Sequence, residues 1–61
     1  MDILTTQKNI YNQFETDEER KEYIIDLLHF YNSLSYKTEQ ITLCNSYWSS
    51  ILLYKYKMMV K

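Results

Sequence analysis

Glycine, proline and alanine are absent from this 61-residue chain. Without glycine, a left-handed backbone position has no strain-free occupant. Without proline, no turn is preset, and together these absences disfavour tight reversals. Long helices joined by short polar connections fit that composition best. The missing alanine has no such structural reason, because alanine is the best helix former. The residues used in its place (Ile, Lys, Asn, Tyr, Phe, Met and Leu) draw on A/T-rich codons. They point to an A/T-rich genome of the phage, plasmid or low-GC bacterial kind.

Cysteine and histidine are each present once, as Cys44 and His29. A lone cysteine excludes an internal disulfide, and the pair cannot build a Cys/His zinc site within one chain. No cofactor or metal is expected. The charge-free stretch from Gln40 to Tyr54 is interrupted by Asn45, Ser46, Ser49 and Ser50; a membrane span needs about 20 apolar residues. Met1-Asp2 lacks the basic start of a secretory signal, and no apolar segment follows it. The expectation is a cytoplasmic protein with no membrane role.

A chain this short makes one domain, 1–61, and buries only about 60% of its unfolded surface. With disulfide and metal excluded, its stability must come from tight helix packing or from self-association. The fold class expected is all-α: a small three-helix unit, the second and third helices forming an antiparallel hairpin, completed by homo-oligomerisation.

The second helix, over 17–34, organises the rest. Thr16 and Glu19 form a T-x-x-E capping box, with Asp17 and Glu18 in the first turn. Ile24, Leu27, Leu28, Tyr31 and Leu34 follow at steps of three and four, with Tyr23, Ile25 and Phe30 beside them. With no glycine for a left-handed cap, Asn32 or a serine is expected to close this helix. The first helix, over 3–14, is weaker. Asp2 can cap it, and Ile3, Gln7, Ile10 and Phe14 form its stripe, with Leu4 and Tyr11 alongside. Thr38 or Ser35 can cap the third helix, over 38–58, whose seam reads Ile41, Cys44, Trp48, Ile51, Lys55 and Met58.

Charge is uneven despite a net of −1. Acids crowd Glu15, Asp17, Glu18, Glu19, Glu22 and Asp26, against Arg20 and Lys21. Neighbouring acids on one exposed helical turn are not the separated pair that glycoside chemistry needs, so they read as a solvated face or as a patch for a basic surface. His29, between Leu28 and Phe30, is expected to be partly buried and hydrogen-bonded. Cys44 reads as a small apolar filler. A Cys-His nucleophile would lack an oxyanion element and a substrate cleft.

Seven tyrosines, two phenylalanines and a tryptophan exceed what so small a core can hide. Trp48 reads as the core anchor or, with Tyr47, Tyr54, Tyr56 and Met58-Met59, as part of an exposed aromatic surface. The partner-binding set is therefore Glu15, Glu18, Glu19, Glu22, Tyr47, Trp48, Tyr54 and Tyr56. It implies a small non-enzymatic protein that inhibits or regulates a larger host protein by steric occlusion. A nucleic-acid enzyme with a basic groove fits as that host, and self-association is expected as well. The alternative is a DNA-binding regulator with a degenerate helix-turn-helix over Gln40–Leu52; it lacks the turn glycine and has few bases nearby for phosphate contacts.

Overall fold

A computed structural model describes residues 2–58. It is an all-α unit of three helices, α1 (Ile3–Gln13), α2 (Asp17–Ser33) and α3 (Glu39–Tyr56), with no strand among the described residues. Each helix begins on a side-chain cap. Asp2 Oδ1 accepts from Thr5 N–H at 2.7 Å, Thr16 Oγ1 from Glu19 N–H at 3.2 Å, and Thr38 Oγ1 from Ile41 N–H at 3.2 Å. These bonds satisfy backbone donors that a helix start leaves unpaired. The capping box of α2 closes differently from the reciprocal form: Glu19 Oε1 accepts from the Thr16 hydroxyl at 3.1 Å.

The helix ends follow from the missing glycine. Leu34 leaves α2 in extended conformation, so neither Asn32 nor a serine takes a left-handed cap. Lys57 does so for α3, at φ 59° and ψ 33°, the one positive φ among the described residues. Its N–H donates to Leu53 O at 3.1 Å and that of Met58 to Leu52 O at 3.2 Å. The third helix thus stops at Tyr56 instead of continuing to Met58.

Side-chain pairs fix the topology. Tyr23 meets the Trp48 ring at 6.3 Å, while Tyr31, further along α2, faces Cys44, earlier in α3. The two helices are therefore antiparallel, and this is the closest packing in the fold. Ile3 N–H reaches Gln40 Oε1 at 3.4 Å, and Tyr11 Oη meets Tyr56 Oη at 2.6 Å. Hence α1 runs parallel to α3 and returns against α2.

The core is Ile24, Leu28 and Tyr31 from α2 with Cys44, Trp48 and Leu52 from α3. On α3 the buried positions step by four, so Leu52 points inward and Lys55, expected on the seam, is exposed. On α1 the inward line is Leu4, Gln7, Tyr11 and Phe14, while Ile3 and Ile10 face out. The expected stripe is thus rotated by one residue at two positions. The reason is polar. Gln7 Oε1 accepts from Tyr31 Oη at 2.6 Å and from Trp48 Nε1 at 2.9 Å. Indole N–H only donates, so a carbonyl oxygen is what this point in the bundle requires.

Two corrections concern single residues. Trp48, 1% exposed, is core and not surface. His29 is exposed, because one step beyond the buried Leu28 turns it about 100° out of the core. The helix-turn-helix over Gln40–Leu52 is also not formed, since α3 runs through that segment unbroken. Met59, grouped with the aromatic surface, lies outside the described residues.

Removing the shared acceptor leaves buried donors unpaired, at about 1–3 kcal/mol each. Gln7→Leu is therefore expected to lower stability by about 2–4 kcal/mol, and Gln7→Glu, which keeps carboxyl oxygens in place, by clearly less. Urea unfolding followed by Trp48 fluorescence checks this; equal midpoints for the two variants would show that Gln7 contributes by packing alone.

Burial also raises phenol and thiol pKa values. Tyr31 is pushed up to about 12 by desolvation. Burial likewise raises Tyr56, aided by Tyr11, and the Cys44 thiol. The unfolded chain loses these protons first, from the ordinary values of 9.0 for the thiol and 10.0 for the phenols. Stability from this source is whole below about pH 9 and falls as pH rises towards 12. Tyrosinate absorbance and helical circular dichroism recorded together should show ionisation of these groups lagging that of exposed tyrosines until the helices melt.

Candidate interaction surface

The acids and aromatics expected to meet a partner are spread over several faces. Arg20 links the α1–α2 connection to α2: its Nη2 donates to Phe14 O at 2.6 Å and its Nη1 pairs with Asp17 at 3.0 Å. That bond holds Phe14 against Tyr23, the ring centres 5.5 Å apart. Tyr23 in turn rests edge-on against Trp48. Over this aromatic floor lies an open cleft of about 270 Å³ walled by Glu19, Glu22 and Asp26. These three acids share one side of α2 because they stand three and four residues apart.

Of the four acids expected at the site, Glu19 and Glu22 line this cleft. Glu18 does not; it pairs with Lys21 at 3.2 Å. Glu15 is exposed on the connection and lies outside the cleft. Glu22 and Asp26 form no ion pair among the described residues. The cleft therefore offers uncompensated negative charge beside two aromatic rings, a setting that suits a guanidinium or an ammonium. No group of three or more His, Cys, Asp or Glu side chains among the described residues is arranged to hold a metal ion. Asp26 belongs to the sequence's acid run, and its step of four from Glu22 was the available signal. Phe14 and Tyr23 come from different helices, so no spacing rule joins them.

The aromatic half of the expected set does not form one surface. Tyr47 is half-buried, edge-on to Trp48 at 5.0 Å, with Lys8 Nζ 4.7 Å from its ring centre. Tyr56 is half-buried and bonded to Tyr11. Tyr54 is 72% exposed, because six residues beyond Trp48 it lies about 240° around the helix. A second cleft, of about 330 Å³, opens between the starts of α1 and α3 and is lined by Asp2, Leu4, Gln40, Leu43 and Cys44. No described helix is long and apolar enough to cross a membrane.

Comparison with protein families, with curated proteins and with solved structures finds no match to this chain. Its functional reading rests on its own residues.

Uncompensated like charge costs stability. Glu22→Lys replaces repulsion from Glu18 and Asp26 with attraction at both i,i+4 positions, and is expected to stabilise the isolated protein by about 0.5–1 kcal/mol. A thermal melt at low salt reads this, and the gain should shrink in high salt. A destabilised variant would mean that Glu22 is held by contacts the charge argument does not include.

Proposed function

We propose that this chain is a small, non-enzymatic protein-binding protein. It regulates a larger host protein by seating a basic side chain of that partner in the cleft of Glu19, Glu22 and Asp26 and covering the surface around it. What supports this reading is the unpaired Glu22 and Asp26 beside the Phe14–Tyr23 ring pair. Carboxylates supply long-range attraction and orientation, and the rings supply a face for the cation once it is desolvated. The bias towards residues with A/T-rich codons fits a phage- or plasmid-borne inhibitor. A host enzyme that handles nucleic acid carries the complementary basic groove. Inhibition would be steric, with acidic side chains occupying positions that phosphates otherwise take.

The test uses a short arginine-bearing peptide, its citrulline counterpart and a DNA duplex, titrated against the labelled protein by NMR at two salt concentrations. The arginine peptide is expected to shift Phe14 and Tyr23, to weaken with salt, and to lose about tenfold in affinity in Glu22→Lys and Asp26→Lys. The citrulline peptide should not bind. Binding of the duplex that is lost in Lys55→Glu/Lys57→Glu, with the acidic variants unaffected, would overturn the reading in favour of nucleic acid.

A further inference from the structure

The outer face of α3 carries a second pattern that the bundle does not use. Glu39, Leu43, Ser46, Ser50 and Leu53 follow one another at steps of four and three along the exposed side, and Lys57, the left-handed residue that caps the helix, stands exposed just past its end. Leu43 is 61% and Leu53 41% exposed, and none of the six lines the acidic cleft. The series reads the same in both directions in chemical kind. A charge stands at each end, a leucine inside each charge and a serine on either side of the centre, with Trp48 as the midpoint on the opposite, buried side of the helix. The two end charges are opposite in sign.

We propose that this face is a homodimer interface in which α3 packs antiparallel on α3 of a second copy about a two-fold axis level with residue 48. In that register Glu39 faces Lys57 of the second copy, Leu43 faces its Leu53, and Ser46 faces its Ser50. Symmetry repeats each contact, so two ion pairs flank two leucine layers. The small serines at the centre let the helix axes approach closely, and interaxial distance is set by the side chains at the contact. A parallel pairing would place Glu39 on Glu39 and Lys57 on Lys57, and the charges therefore select the antiparallel arrangement. Leu43 also forms one wall of the apolar cleft at the starts of α1 and α3. Tyr54, on the flank beside Leu53, reaches the mouth of that cleft in the second copy. The face is one helix wide, at the low end of specific interface areas, so the dimer dissociates on dilution. Each dimer presents two acidic clefts, which turns a weak single contact into a bivalent one.

The experiment is a charge swap read by sedimentation equilibrium over a concentration series, with circular dichroism confirming that each variant is folded. The wild type is expected to self-associate to a dimer. Glu39→Lys and Lys57→Glu should each raise its dissociation constant about tenfold or more, by turning two attractions into repulsions. The double swap should restore it. Leu53→Glu, at an exposed position, should abolish association without unfolding the chain. A wild type that stays monomeric at millimolar concentration overturns the proposal. So does a dimer whose constant is unchanged by both single swaps, because its interface would lie elsewhere. Peptide binding at the acidic cleft is a separate readout, so failure here leaves that reading intact and the converse also holds.

Discussion

A single amide oxygen joins the three helices. Gln7 Oε1, on α1, receives the phenol of Tyr31 from α2 and the indole of Trp48 from α3. Two of the largest side chains in the core bury polar atoms, and neither can do so without a partner. One acceptor serves both, and no buried side-chain nitrogen or oxygen is left unpaired among the described residues. The bond also fixes orientation. With Gln7 inward, Leu4, Tyr11 and Phe14 are inward too, and the Phe14–Tyr23 ring pair at the acidic cleft follows.

This arrangement suits a chain with little core. Among the described residues six are fully buried, all from α2 and α3. The first helix contributes none, has several residues of modest helix propensity and is only 11 residues long. In isolation a helix of that length is marginal. What holds it is a row of directed contacts along its length: Ile3 to Gln40, Gln7 to Tyr31 and Trp48, Lys8 over the Tyr47 ring, and Tyr11 to Tyr56. Much of the aromatic surplus is spent inside the fold, as hydroxyl and ring partners for α1. That explains why fewer aromatic faces reach solvent than the composition suggested.

The three helix starts were legible because a cap is local: Asp2, Thr16 and Thr38 need only the next three residues. The α2 core line of Ile24, Leu28 and Tyr31 was legible because apolar spacing there is dense. What the sequence could not weigh was a polar residue placed inward by partners on two other helices. On α1 the isoleucines advertise a stripe through positions 3 and 10, and hydrogen bonding to Gln7 tips the helix to the neighbouring line. On α3, leucines, tyrosines and isoleucines occur nearly all round, so periodicity alone could not choose Leu52 over Lys55. The cleft is a case of the same limit. Its acids lie on one helical face and can be read; its floor joins residues nine apart across a bend.

The burial of Cys44 has a consequence for how the fold can be watched. Its side chain is buried beside Tyr31, in the core cluster against which Leu4 of α1 packs. A thiol that is both covered and reluctant to ionise reacts with solution reagents only when the cover lifts. Its rate of alkylation therefore counts local openings, and comparison with the global unfolding rate separates the undocking of α1 from melting of the α2–α3 pair. The chain carries, at a single natural position, a clock for the breathing of its least anchored helix.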